Sequence, residues 1–207
     1  MTKAAGRRCH ALSFRYGQRH EVELIAARAV AKAMGVASMR VVDIDLRGIG
    51  GSALTDDVAV PKGRGDAEIG AGIPVTYVPA RNTIFLSYAI AVAEITGAAE
   101  IVVGVNVLDS SGYPDCRPEW LAAMQDVARL GTRAGVEGRG VRLVAPLIRM
   151  SKVEIIHAGM GLGVDYGLTH SCYDPSSNGA ACGDCDACHL RRRGFAGAGV
   201  PDPTRYR

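Results

Sequence analysis

The chain has 207 residues, 48% of them hydrophobic, with a formal net charge of +3. That length suits one sizeable α/β domain or a domain with an appendage, and the apolar share is enough for a buried core. The mild charge gives no electrostatic case for nucleic-acid binding, and no apolar run reaches the about 18 residues of a membrane span. The 26 glycines sit singly or at turns, and no internal repeat is visible. The first residues lack the apolar core of a signal peptide, so a cytoplasmic, reducing compartment is expected. Basic residues gather near the ends, at Arg7, Arg8, Arg15 and Arg19 and again at Arg191, Arg192 and Arg193. Such runs read as solvated faces.

His10 to Phe14 reads as a short strand, followed by a polar loop, Tyr16-Gly17-Gln18-Arg19-His20. Apolar residues at Val22, Leu24, Ile25, Ala29, Val30 and Ala33 recur at helical spacing, and Gly35 stops the helix. Arg40 to Asp45 is a second strand, so the opening is a βαβ unit with parallel pairing expected. Gly48 to Pro74 is a long Gly- and charge-rich loop, partly mobile, of the kind that forms lids or binding segments. Thr76 to Pro79 is a short extended piece. Asn82 is placed to cap a long apolar helix from Thr83 to Thr96, which Gly97 ends. Ile101 to Val105 is the strongest candidate for a buried strand.

The loop that follows, Asn106 to Glu119, concentrates the chemistry, because loops after parallel strands line the ligand crevice of such sheets. Trp120 to Arg133 is helical, with Leu121, Met124, Val127, Ala128 and Leu130 assigned to its buried side. Val141 to Pro146 is a further strand, and Ser151-Lys152-Val153-Glu154 opens a helix with a capping box. A last short helix starts near Arg191, and Pro201 to Arg207 is a docked tail.

Four of the six cysteines lie near the C-terminus: Cys172, then after nine residues Cys182, Cys185 and Cys188 with two residues in each gap. Turns at Gly183 and around Asp184 to Asp186 let the sulfurs converge, with Cys172 closing a tetrahedron. Four thiolates in that arrangement suit Zn²⁺ in a closed structural site, one per chain. A disulfide framework, an iron–sulfur cluster and free thiols are the alternatives. Against the cluster, His189-Leu190-Arg191 follows where a ferredoxin run places its next Cys before a Pro. Cys116 reads as packing.

Taken together, Tyr16 to His20, Val78-Pro79-Ala80-Arg81-Asn82, Ser111-Gly112-Tyr113-Pro114-Asp115-Cys116-Arg117, Ser151-Lys152 and Thr169-His170-Ser171-Cys172-Tyr173 with Cys182, Cys185 and Cys188 resemble the 7-cyano-7-deazaguanine synthase family from about His10 to the C-terminus. The resemblance implies an α/β fold with a doubly wound, mostly parallel sheet of the adenine-nucleotide α-hydrolase-like, Rossmann-like kind. It implies residues 9–165 as the nucleotide- and substrate-binding part and 166–207 as a zinc-binding segment packed on it. It further implies an ATP-dependent ligase of queuosine biosynthesis that turns 7-carboxy-7-deazaguanine and ammonia into 7-cyano-7-deazaguanine (preQ0). The route passes through an acyl-adenylate and an amide, with Mg²⁺ accompanying ATP, in a homodimer without direct nucleic-acid contact.

On that resemblance Lys152 and Arg81 are the catalytic cations for the ATP phosphates, Lys152 being helped by free N–H groups of its helix start. Gln18, Arg19, His20 and Asn82 line the nucleotide or substrate site. Asp109 and Asp115 accept from the amidine-like edge of the deazaguanine, Tyr113 stacks on the ring and Arg117 meets the substrate carboxylate. The plainer readings stay open: Lys152 as a surface lysine beside a cap, Arg81 paired with a structural carboxylate, Asn82 as cap only, and the Asp109–Arg117 stretch as an Asp-capped turn. The family's S-G-G-x-D-S phosphate loop, which grips pyrophosphate through backbone N–H groups, is absent from this sequence. A start codon placed too late is the favoured explanation, ahead of a truncated inactive relative and of a purine-binding or dimer-partner protein. As written, the chain is expected to show little or no ligase activity. A tRNA-thiolating relative would need a catalytic cysteine pair, for which only Cys9 and Cys116 remain.

Overall fold

The computed structural model describes residues 1–108 and 112–207. It has two compact units, Met1–Pro79 with Ser151–Arg207, and Ala80–Met150.

In the first unit, β1 (His10–Arg15), α1 (Val22–Ala33) and β2 (Ser38–Asp43) follow the expected strand, helix, strand order. The strands are parallel, with His10 opposite Ser38 and Arg15 opposite Asp43. Gly35, at φ 58°, lets the chain leave α1 by a left-handed turn in which the Val36 N–H bonds the Ala31 carbonyl at 3.2 Å. Leu24 is buried as the apolar stripe requires, and Ala31, outside that stripe, is buried as well, but Ile25 and Ala33 face outward. The stripe is narrower than its apolar content suggests.

The 48–74 stretch is more ordered than a loop expected to be partly mobile. It carries one helical turn, α2 (Asp66–Ile69), and an antiparallel bridge from Lys62 to Cys185. Thr76 and Val78 are buried without forming a strand. In α6 (Lys152–Gly161) the capping box is present: Ser151 Oγ accepts from Glu154 N and Glu154 Oε2 accepts from Ser151 N at 2.7 Å. The last helix, α7 (Asp186–Gly197), begins at Asp186 rather than near Arg191, because Cys185 is its N-cap and Asp186 supplies negative charge to its first turn. Helices α6 and α7 lie close together: a Cβ added to Gly194 would sit 2.2 Å from Lys152 Cγ. The tail is docked, with Ala181 N and Arg207 N bonded across to Arg205 O and Ala181 O, each at 2.9 Å.

The arginine run is a solvated face only in part: Arg192 and Arg193 are exposed, and Arg191 is not. Arg191 is buried, donating to Asp202 (3.0 Å), Thr169 Oγ1 (2.8 Å) and Tyr166 O (3.1 Å). Arg192 stacks over Tyr206 at 4.1 Å, and Arg193 pairs with Asp66 at 2.6 Å. The long basic stems cover apolar surface while their heads find fixed partners.

The second unit contains α3 (Arg81–Thr96), β3 (Glu100–Val102), α4 (Pro118–Gly131), α5 (Arg133–Val136) and β4 (Arg142–Val144). β3 and β4 are parallel, with Glu100 opposite Arg142. Leu86, Ile90 and Ala93 of α3 pack with Met124, Ala128, Val141 and Leu143 to form its core. The expected buried strand over Ile101–Val105 is shorter, and Val102 is exposed; among the described residues β3 has β4 as its only partner. Val127 and Leu130 of α4 are likewise exposed, at 50% and 63%, leaving Met124 and Ala128 as its buried pair. Both helices start two residues earlier than expected, α4 with Pro118 at a first-turn position whose missing N–H costs nothing.

Gly135 is the tightest glycine of this unit: an added Cβ would lie 2.3 Å from Arg129 O and 2.5 Å from Ala128 O. Gly135→Ala is expected to cost about 1–3 kcal/mol by overpacking. Gly131→Ala, with open space around it, should be neutral or stabilise by up to about 1 kcal/mol. Denaturant melts of both variants check the contrast.

Candidate metal centre and ligand-binding residues

The cysteine centre is built by two loops and the start of α7. Gly183, at φ 78°, turns the chain between Cys182 and Cys185, and Cys188 follows in the first turn of α7. Cys172 arrives from the loop after a short 3₁₀ turn at Tyr166–Leu168. The four Sγ atoms all lie within 4.8 Å of one another, and no cysteine of the chain is in a disulfide. An ion with four sulfurs at about 2.3 Å spaces them about 3.8 Å apart; Cys182 and Cys188 Sγ are 4.0 Å apart. The donor set therefore fits one tetrahedral metal ion.

Backbone N–H groups point at the sulfurs: Cys182 N and Asp174 N to Cys172 (3.1 and 3.3 Å), Cys185 N and Asp184 N to Cys182 (3.3 and 3.4 Å), and Tyr173 N to Cys185 (3.5 Å). These donors, with the positive end of α7, offset thiolate charge. The thiols also act on each other. Hydrogen bonds from Cys172 and then Cys188 pull the Cys185 thiol far below its ordinary value, and the contact with Cys185 pushes Cys172 up to about 12. Ala53, Val60 and Ala181 close the centre from water.

In the same unit, Gln18 is occupied by its own loop: its Oε1 accepts from Tyr16 N at 2.8 Å. Arg19 donates to the carbonyls of Asp56 and Val58, both at 2.6 Å. His20 is close enough to act electrostatically on Asp174 and His170. His170 stands in the quoted motif yet drew no role from sequence. Burial lowers its pKa, keeping the ring neutral, and its Nε2 is buried with no hydrogen-bond partner among the described residues. Lys152 is the first residue of α6, its stem against Gly194.

In the second unit, Arg81, Asn82, Asp115 and Cys116 form one cluster. Asn82 does not cap α3. Ala80 holds the N-cap position at φ 53°, ψ 19°, the only non-glycine with positive φ among the described residues. Asn82 lies inside the first turn, where its backbone N–H donates to Asp115 Oδ2 at 2.9 Å and its amide donates to Asp115 O at 3.1 Å. A distant aspartate thus caps the helix and Asn82 holds that aspartate's loop. Asp115 is 4% exposed, and its second oxygen, Oδ1, is buried without a hydrogen bond among the described residues. Buried unpaired oxygens are rare in native proteins. The left-handed Ala80 is a strained position beside it, of a kind that persists where the surroundings impose it.

The guanidinium of Arg81 bonds Asn82 Oδ1 at 3.3 Å and lies 6.0 Å from the Phe85 ring. Tyr113 precedes the 3₁₀ turn Pro114–Cys116, and Arg117, exposed, is the N-cap of α4. Burial pushes the Cys116 thiol up to about 11, which keeps it protonated and agrees with its reading as packing. Asp109 lies outside the described residues. The positions of Arg191, Asp202 and Arg64 were not foreseeable from spacing, since each acts through a partner distant in sequence.

The sequence model of the family described as "Queuosine biosynthesis protein QueC" matches residues 1–199. A 7-cyano-7-deazaguanine synthase of Myxococcus xanthus is 59% identical over 206 residues, covering all of this chain and 90% of the relative. Proteins of that name from Stenotrophomonas maltophilia and Geotalea daltonii are 61% and 63% identical over 206 and 198 residues, covering 91% and 85% of those relatives. The chain belongs to the QueC family of queuosine biosynthesis proteins.

The Arg191–Asp202 pair gives a pH-dependent prediction. Burial alone would raise the Asp202 carboxyl, but hydrogen bonds from Tyr206 (2.6 Å), Thr204 and Arg191 outweigh it and hold its pKa below the ordinary value. A depressed carboxylate stabilises the fold fully above its unfolded pKa, and that contribution is lost as pH falls through the folded one. Asp202→Asn should therefore cost roughly 3 kcal/mol at pH 7, where it breaks a buried pair. The gap from the parent chain should close on acidification through the folded pKa, as read by urea melts in a pH series.

Proposed function

We propose that the protein is a 7-cyano-7-deazaguanine synthase, an ATP-dependent ligase joining ammonia to 7-carboxy-7-deazaguanine. The observation that carries this is roughly 60% identity over nearly the whole of several proteins of that name. A carboxylate is a poor electrophile until one oxygen becomes a leaving group. Attack of the carboxylate on the α-phosphorus of ATP releases pyrophosphate and forms the acyl-adenylate. Ammonia attacks its carbonyl carbon, AMP departs with the oxygen, and the amide remains after loss of a proton. A second ATP adenylates the amide oxygen with release of a second pyrophosphate; the nitrogen gives up both its protons as the C–O bond breaks, and the nitrile is released with a second AMP.

Binding energy spent on alignment and on the charge of the phosphates is what such a reaction needs. In this reading Lys152 and Arg81 carry that charge, with Mg²⁺ on the phosphates. Gln18, Arg19, His20 and Asn82 line the nucleotide and substrate site. Asp109 and Asp115 accept from the deazaguanine edge, Tyr113 stacks on it and Arg117 meets its carboxylate. The buried, unpaired Oδ1 of Asp115 supports the assignment of Asp115, because Oδ2 is already held by Asn82 N and the carboxylate is fixed in orientation.

The resident ion is Zn²⁺ in our reading, held by Cys172, Cys182, Cys185 and Cys188; with four protein ligands it has no open position and supplies folding energy, not chemistry. The remaining parts of the proposal are a cytoplasmic homodimer without nucleic-acid contact and a doubly wound, mostly parallel sheet. Residues 9–165 form the binding part and 166–207 a zinc segment. The two parallel strand pairs and the α/β alternation support that sheet.

A second reading is a purine-binding or dimer-partner protein without turnover. Two measurements separate them. Calorimetry should detect 7-carboxy-7-deazaguanine binding, weakened about tenfold to a hundredfold in Asp115→Asn, as for loss of one buried charge-assisted bond. AMP release with nitrile formation from ATP, ammonium and the acid supports the synthase, binding without AMP supports the second reading, and no binding overturns both.

A further inference from the structure

Beyond the buried turn at Ser52–Thr55, the segment that runs on to Ile69 has little means of holding itself in place. Its one helical turn, α2, buries no residue. Its order comes from contacts with the cysteine centre. Lys62 bridges to Cys185, and Gly63 N donates to the backbone and carboxylate oxygens of Asp184 at 3.1 and 3.2 Å. Lys62 pairs with Asp174 at 2.6 Å, and Arg64 with Asp186 through Nε at 3.1 Å. Asp66 accepts from His189 at 2.9 Å and from Arg193. Asp174, Asp184, Asp186 and His189 each lie within two positions of a cysteine of the centre. Ala53 and Val60 pack directly against Cys172, Cys185 and Cys188. At its other end the same segment offers the Asp56 and Val58 carbonyls that hold Arg19.

We propose that the cysteine centre is a latch for this segment: filling it with one metal ion orders residues 60–69, and through residues 53–58 fixes the guanidinium of Arg19. The physical basis is that four ligands on two loops fix the anchors only when the loops themselves are fixed. Released loops would carry Asp174, Asp184, Asp186 and His189 apart, and α2 has no buried residue of its own to fall back on. The latch rests on contacts alone; only the use of Arg19 in binding rests on the reading proposed above.

Amide hydrogen exchange on the full-length chain tests it without substrate, comparing zinc-loaded with chelator-stripped protein. Stripping should accelerate exchange in peptides spanning 60–69 by at least about tenfold, while the β1–α1 peptides over 10–33 keep their protection. Trypsin should gain cleavage at Lys62 and Arg64 in the stripped form. The double variant Arg64→Ala, Asp66→Asn should show the same loosening with one zinc still bound per chain, which a mere loss of global stability would not produce. Equal exchange in loaded and stripped protein overturns the latch. So does an equal acceleration of 10–33 and 60–69 on stripping, or full protection of 60–69 in the double variant.

Discussion

Convergence of four thiols at the N-terminus of α7 is the constraint on which the first unit depends. Thiolates repel each other, and packing them within 4.8 Å is unfavourable unless positive charge is supplied. The backbone supplies part of it, through N–H groups aimed at sulfur and through the helix end, and a cation held by all four would supply the rest. Around that point the chain has little conventional core: two cysteine loops, a docked tail and a segment of irregular backbone. Arg191 binds these together from the other side, its guanidinium shared among Asp202, Thr169, Ser171 and Tyr166 and set 4.9 Å from the Phe195 ring. A buried guanidinium with all three nitrogens hydrogen-bonded specifies one arrangement of the tail more sharply than an apolar residue would.

The second unit follows a different economy of contacts. Its helices and short strands form an ordinary apolar core, and what stands out is placed at its entrance, where α3 begins. Ala80 is held in a left-handed conformation, Asn82 reaches across to the Asp115 loop, and Asp115 returns one oxygen to the helix N–H. Each of these is locally unfavourable or incompletely satisfied, and each is stabilised by the others. Asp115 is thereby immobilised through one oxygen, while the other is buried without a hydrogen bond among the described residues.

Sequence patterns identified both helix stops at glycine, the capping box at Ser151 and Glu154, the parallel pairing of β1 with β2 and the docked tail. These features depend on residues close in the chain, so spacing is enough to reveal them. Boundaries moved where a distant group intervened. Asn82 looks like a cap by type and position, but the cap comes from Asp115, 33 residues away. Ile25, Val102, Val127 and Leu130 fit apolar periodicity and yet are exposed, because periodicity reports a face without reporting whether anything covers it. The run Arg191–Arg193 looks solvated by composition, but its partners Asp202, Tyr206 and Asp66 are invisible to a local reading.

By itself the sequence determined the family, through motifs spread in a fixed order, and a four-cysteine cluster able to hold a metal ion, through the cysteine spacing. Both are matters of residue type and interval, which survive without coordinates. Tertiary structure alone decided that the 52–69 stretch is strapped to the cysteine loops, that Arg191 is a buried tie and that one oxygen of Asp115 waits unpaired. Those facts depend on which groups meet across long separations in the chain, where many pairings are chemically possible and only packing selects among them.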